Sequence, residues 1–351
     1  MSAPVPVPAG VGRPDPALGR GTEPAAGGAG GPAAGRAGGA VPVLVDCDPG
    51  IDDAVALLLI CASPETRLLG VTTVGGNADL ARTTRNALRV LTLAGRADVP
   101  VAAGAPRPLV RAQPHRAAYV HGDDGVRGAD LPEPAAPADP RHAVDLLADT
   151  VSASAEPVTL IAVGPLTNVA LLYARHPEVA ARLDRLVVMG GSIGAGNVTA
   201  AAEFNVWADP EAAYRVLTDP GLPRPVPTTM VGLDVTFGMP VDEADVRRLG
   251  AGGSAGRAAA AMLGAAVEFY HQSLGVISVA VHDAVAVVQV LRPELITTEA
   301  CTITVDCSDG PSRGATVVDR KAPLPWLSVA TGADAGAVVD LVVTRVAAYD
   351  R

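Results

Sequence analysis

The sequence predicts an α/β fold built on a mainly parallel central sheet flanked by helices. Three observations lead there. Short apolar runs alternate with helical patterns from Val41 onward. Those runs are continuous and rich in β-branched residues instead of strictly alternating, which marks strands covered on both faces. Acidic and amide residues gather just after several of the runs, where open α/β sheets bind ligands.

Taken in order, "VPVLVD" reads as the first strand and "DDAVALLLICAS" as the helix that returns from it. "LLGVTTVGG" is strand-like, and "DLARTTRNALRVLTLAG" is an amphipathic helix with a glycine stop. "VPVAAG" is a short strand, and Gly104 to Asp139 reads as one long loop. "HAVDLLADTVSA" is helical, "VTLIAVG" a strand and "PLTNVALLYARHP" a helix. "RLVVMGG" is a strand followed by a polar loop to Asp209; "PEAAYRVLTDP" is a helix and "TTMVGLDVT" a strand. The C-terminal runs "CTITVDC", "GATVVDR" and "WLSVA" extend the sheet or pack on it, ahead of a last helix. The rhythm implies one domain over 41–351. Residues 1–40 differ: 28 of them are Ala, Gly or Pro, which suits a disordered leader and not a packed core.

The net charge of −10 argues against a nucleic-acid backbone or an anionic membrane as the main partner. No apolar run approaches the roughly 20 residues of a membrane helix. Cys47, Cys61, Cys301 and Cys307 form no CxxC pair and read as reduced core thiols, which favours a reducing compartment, the cytoplasm. No GxGxxG follows the first strand and no GxxxxGK[ST] is present, so nucleotide phosphates are not cradled in the usual ways. A phosphatase with an aspartyl nucleophile would want a lysine near the phosphate, and the single lysine, Lys321, is far from the rim.

The densest signal is "VLVDCDPGIDDAVALLL": Asp46, Asp48, Asp52 and Asp53 fall within eight residues, with no Lys or Arg in the segment. Like charges repel and resist desolvation. As plain structure, Asp52 is a helix N-cap and Asp48 a turn residue, which leaves the other two carboxylates unexplained. A hard divalent cation, Ca²⁺ or Mg²⁺, explains all four, and the number of carboxylates fits Ca²⁺ better. His282 and Asp283 open the apolar helix in "SVAVHDAVAVV". They read either as a helix boundary and its cap, or as a proton donor and a carboxylate closing the cation's shell. Asn197, Glu203 and Asn205 in "GNVTAAAEFNVWADPEAA" are a solvated loop or a set of donors and acceptors for the vicinal hydroxyls of a sugar. The glycine-rich stretch "YVHGDDGVRGADLPEP" suggests a flap whose His121 can reach a ligand.

"DCDPGIDDAVALLL", "GGN", "VGPLTNVA", "MGG", "AEFNVWADPEAA" and "HDAVAV" together resemble the inosine–uridine-preferring nucleoside hydrolases, in order and over nearly all of 41–351. The resemblance implies an open Rossmann-like core and a Ca²⁺-dependent enzyme that splits ribonucleosides into base and ribose. Carried over by position, Asp48 binds Ca²⁺ and takes a proton from the attacking water. Asp53, Asp283 and the main-chain carbonyl of Val163 are further ligands. Asp52, Asn77, Asn197, Glu203 and Asn205 hold the ribose, and Met189 lines its pocket. His282 helps the base leave, His121 belongs to the flexible loop, and Asp46 supports the metal shell. Relatives of this kind are homodimers or homotetramers. The Ala/Gly/Pro leader has no counterpart in the family core. By the same resemblance, Phe269 and Tyr270 lie on a helix that in relatives helps shape the base pocket, and "VEFYHQSLGVIS" around them does not decide between purine and pyrimidine. The alternatives to a ribonucleoside hydrolase are a catalytically silent Ca²⁺- or nucleoside-binding protein of the same fold, or a hydrolase of another N-riboside.

Overall fold

The computed structural model describes residues 39–112, 122, 124–127, 129–322 and 325–350. The leader expected over residues 1–40 and the flap residue His121 therefore fall outside the described residues, apart from Gly39 and Ala40.

Strands β1 (Val41–Cys47), β2 (Thr66–Thr73), β3 (Val101–Ala103), β4 (Thr159–Ala162), β5 (Arg185–Met189) and β6 (Thr228–Val231) match the predicted runs. The helices between them are α1 (Ile51–Cys61), α2 (Leu80–Leu93), α3 (Ala143–Ala153), α4 (Thr167–Arg175), α5 (Pro177–Ala180), α6 (Phe204–Ala208) and α7 (Pro210–Leu217). The chain continues through α8 (Leu233–Thr236), β7 (Pro240–Asp242), α9 (Glu243–Gly250), α10 (Ser254–Leu274), β8 (Ser278–Ala280) and α11 (His282–Leu291). It ends with β9 (Ile296–Val305), β10 (Thr316–Asp319), β11 (Leu327–Ala333) and α12 (Ala335–Ala348).

Nine strands form one sheet in the order β10-β9-β11-β6-β5-β4-β1-β2-β3. All neighbours from β3 to β11 pair in parallel, and β9 pairs antiparallel with both β11 and β10. The C-terminal runs thus extend the sheet, as expected. The winding reverses at β1, which lies between β2 and β4, and in open α/β sheets such a switch point, at the strands' carboxyl ends, is where ligands bind.

Alternation along β1 sends its side chains to two cores. Val43, Val45 and Cys47 pack with α1, α2, α10, α11 and α12, whereas Leu44 packs with α3, α4, α7 and β9. Helix α1 is buried from Asp53 through Ile60, so it reads as a continuous apolar run and not as an amphipathic stripe. Each of its fully buried leucines, Leu57, Leu58 and Leu59, contributes about 1.5–3 kcal/mol by burial.

Two expectations need correction. The run "TTMVGLDVT" is not one strand: β6 stops at Val231 and the chain turns at Gly232 into α8. The stretch to Asp209 is not wholly loop, since Glu203 caps α6. All four cysteines are free; Cys47 and Cys301 are buried, while Cys61 and Cys307 are half-buried. Among the described residues no helix is long and apolar enough to cross a membrane.

Candidate active site

Strands β1 and β4 run side by side with Asp46 opposite Ala162, so the chain leaves them together as Asp48 and as Val163-Gly164. The exit of β2 brings Gly76 and Asn77 to the same rim. The Asn77 main-chain N–H donates to Asp48 Oδ2 at 2.6 Å, and its amide donates to the Asp48 carbonyl and to Asp53 Oδ2, each at 3.2 Å. Asp53, in the first turn of α1, accepts the Asp48 N–H at 3.0 Å and the Gly50 N–H at 2.9 Å. Helix capping therefore falls to Asp53 and not to Asp52. Asp48 Oδ1 is buried and has no hydrogen-bond partner among the described residues.

Two glycines make room for Asp48. A Cβ on Gly76 would fall 2.1 Å from Oδ2, and one on Gly164 would fall 2.5 Å from Oδ1. Any other residue would displace the carboxylate or its strand ends.

The first turn of α11 delivers Asp283 to this group. Carboxylate oxygens of Asp52, Asp53 and Asp283 lie within 4.8 Å of one another, and Asp283 shares a hydrogen bond with Asp53. Burial raises the Asp48 and Asp283 carboxyls well above the usual carboxylate range, with added repulsion from Asp53 on the first and from Asp52 and Asp53 on the second. Burial, then the Asp53 charge, pushes half-buried Asp52 up to about 8. Burial also raises Asp53, against the hydrogen bonds from Gly50 and Asp48. Hard, crowded oxygens and an unpartnered buried carboxylate oxygen fit a divalent cation.

Asp46 sits just below. Its Oδ1 accepts from Thr72 at 2.6 Å and from the Asn168 amide at 2.8 Å, while Oδ2 has no partner among the described residues. Burial lifts this carboxyl to about 7 despite those two hydrogen bonds. On the β5 side, buried Glu203 accepts from the main-chain N–H groups of Gly191, Asn205 and Val206 at 2.9, 2.9 and 3.1 Å. The Asn205 amide donates to the carbonyls of Val163 and Met189 at 3.0 and 3.2 Å. Asn197 accepts the Phe204 N–H at 2.9 Å and holds its loop.

His282 begins α11. Its Nδ1 lies 2.8 Å from the Thr236 hydroxyl, and the Phe237 ring meets it edge-on with centroids 5.3 Å apart. Burial lowers its pKa to about 4, so the imidazole is neutral at pH 7. Any hydrogen bond this ring donates near pH 7 therefore comes from a neutral imidazole. Arg127, within the glycine-rich stretch read as a flap, lies over the Phe269 ring at 4.1 Å and links that stretch to α10.

The sequence pattern of the family described as "Inosine-uridine preferring nucleoside hydrolase" matches residues 43–340. The chain belongs to that family. It is 43% identical over 281 residues to the pyrimidine-specific ribonucleoside hydrolase RihA of Photobacterium profundum, covering 80% of this chain and 89% of that relative. It is 41% identical over 315 residues to the RihA of Escherichia coli O139:H28, covering 88% and 99%. Among solved structures, the purine-preferring ribonucleoside hydrolase from Gardnerella vaginalis superposes with a TM-score of 0.81 at 29% identity, covering 87% of this chain and 98% of that one.

In this nucleoside hydrolase, residues expected to act together from the sequence do converge: Asp48, Asp53, Asp283 and Asn77 share one rim. Asp52, expected on the ribose, also lies within the carboxylate group. The Val163 carbonyl, expected on the metal, accepts from Asn205 and retains a second lone pair. The sequence assigns no role to Thr72, Thr236 or Asn168, although Asn168 falls on the rim after β4. Nothing in local pattern distinguishes a polar residue that holds a functional side chain from a satisfied core residue.

Proposed function

We propose that this chain hydrolyses the N-glycosidic bond of pyrimidine ribonucleosides, releasing base and ribose, with Ca²⁺ held among Asp48, Asp53, Asp283 and the Val163 carbonyl. The observation that carries this reading is the buried carboxylate group around Asp48, whose Oδ1 has no partner among the described residues. Binding alone would need the cation ligands but no carboxylate serving as a general base. When bound, the cation would supply counter-charge, acidify a coordinated water and orient a sugar diol.

Asp48 takes the proton of the attacking water on Oδ1, while the Asn77 N–H and the close approach of Gly76 keep Oδ2 in place. Positive charge develops on the ribose as the bond to nitrogen lengthens, and the surrounding carboxylates favour that state over the ground state. Asp52, Asn77, Asn197, Glu203 and Asn205 position the sugar, beside Met189. His282 donates a hydrogen bond to the departing base, and His121 belongs to the segment that covers it. Asp46 steadies β1 beneath the site. Relatives above 40% identity carry pyrimidine-specific names, whereas the structural neighbour named as purine-preferring is 29% identical, which supports a pyrimidine base. The same reading takes 41–351 as one catalytic domain, active in the cytoplasm as a homodimer or homotetramer.

A panel of uridine, cytidine, inosine and guanosine, with Ca²⁺ or with EDTA, tests it by release of reducing sugar. Uridine and cytidine should give the highest kcat/KM, and EDTA should stop turnover. Absence of sugar release from every nucleoside would overturn the activity; a preference for inosine and guanosine would overturn the base assignment alone.

A further inference from the structure

We propose that Thr236 is a positioning residue that fixes the tautomer and the orientation of His282, so that the ring presents its Nε2–H to the departing base. The inference rests on the role just given to His282.

Thr236 is fully buried at the end of α8, and Nδ1 of His282, 2.8 Å away, is the one side-chain hydrogen-bond partner of its hydroxyl among the described residues. A buried hydroxyl donor needs an acceptor. The hydroxyl therefore gives its hydrogen to Nδ1, which must carry a lone pair. In a neutral imidazole one nitrogen donates and the other accepts, so the ring hydrogen sits on Nε2. Were Nδ1 protonated instead, Nε2 would face the departing base as a bare lone pair and repel the electrons gathering there. Phe237 bears edge-on against the same ring and opposes its rotation. The turn at Gly232 makes this possible: had β6 continued as a strand through Thr236, side-chain directions would alternate across the sheet instead of carrying Thr236 to the start of α11. No proton leaves the ring in this role; Nε2–H stabilises charge on the base by hydrogen bonding.

Thr236→Val keeps the branched shape and removes the hydroxyl, and Thr236→Ser restores it. Uridine needs help to expel its base, whereas p-nitrophenyl β-D-ribofuranoside carries a leaving group that departs unaided. Thr236→Val should lower kcat for uridine at least about tenfold with little change in KM, and leave the nitrophenyl riboside within about twofold. Thr236→Ser should recover most of the loss. Calcium affinity by titration calorimetry should be unchanged in both. Nitrogen-15 NMR of the wild-type imidazole should show Nε2 protonated and Nδ1 unprotonated, and Thr236→Val should mix the two tautomers. Equal losses on both substrates, or loss of calcium binding, would make Thr236 merely structural and overturn the proposal. His282→Ala separates the layers. If it spares uridine turnover, the role of His282 fails and this inference with it. If it lowers uridine turnover while Thr236→Val does not, only the Thr236 assignment fails.

Discussion

The main-chain N–H of Asn77 reaches Oδ2 of Asp48 at 2.6 Å, so one oxygen of that carboxylate is committed to the scaffold while the other is buried and open. A group held this way is oriented by backbone and poised by its second oxygen. Asp48→Ala should therefore lower uridine turnover by about 10²–10⁴-fold, the usual contribution of a general base, or by more if cation binding is lost too. Steady-state kinetics alongside circular dichroism would check it, and near-native turnover would remove Asp48 from the chemistry.

Gly76→Ala tests the same group without touching it. The added methyl would lie 2.1 Å from Oδ2, 2.8 Å from the carboxyl carbon and 3.0 Å from Pro165 Cδ. Asp48 must shift, and displacement of a reacting group by about 1 Å can cost around 10²-fold in rate. We expect a fall in kcat of that order; unchanged kcat would mean that the carboxylate tolerates being moved.

Much of this was legible beforehand and some was not, for physical reasons. Strand ends could be read because buried parallel strands are continuous apolar runs, and the aspartates stood out because unpaired acids have no business beside them. β6 was read too long because Val235 and Thr236 are β-branched. There, tertiary contacts overrode propensity: Asp234 accepts the main-chain N–H groups of Ile193 and Gly194 at 2.6 and 2.9 Å, across from the end of β5. Glu203 was read as loop because glutamate is a poor N-cap by statistics, although here its carboxylate receives the N–H groups of Asn205 and Val206. The β7–β8 ribbon was unread because its strands, Pro240–Asp242 and Ser278–Ala280, are too short to show a period.

Acidity should set the stability of the cation-free protein. Asp46 and Asp52 titrate near 7 and 8 in the folded state, far above the 3.8 of a free aspartate, so folding retains protons that the unfolded chain has released. Stability accordingly falls as pH rises through that range. His282 acts in the opposite sense, being neutral when folded and charged when unfolded, but only between about 4 and 6.5. From pH 6.5 to 8 the effect of these two carboxylates outweighs that of His282. In EDTA the melting temperature should drop across this interval, and saturating Ca²⁺ should raise it most at the alkaline end. A flat or rising Tm in EDTA would contradict the carboxylate assignment.

Asn168 offers a test of the scaffold. Its amide donates to Asp46 Oδ1 at 2.8 Å and to the Thr73 carbonyl at 3.0 Å, and its oxygen accepts the Ala105 N–H at 2.9 Å. It thus ties α4 to β1, β2 and the turn after β3. Asn168→Ala orphans the buried Ala105 N–H, at about 1–3 kcal/mol, while Asp46 Oδ1 keeps Thr72 and the Thr73 carbonyl keeps the Gly104 N–H. Urea unfolding should show a matching loss in midpoint with the slope unchanged; a loss below about 1 kcal/mol would show that water or neighbours replace the amide.

The crevice takes Asp48 from the end of the first strand and Asp283 from a helix near the far end of the chain, with Val163 between them in sequence. A chain halfway off the ribosome has its foremost carboxylates but not the last. The carboxylate group is complete only once that late helix has docked beside the first strand.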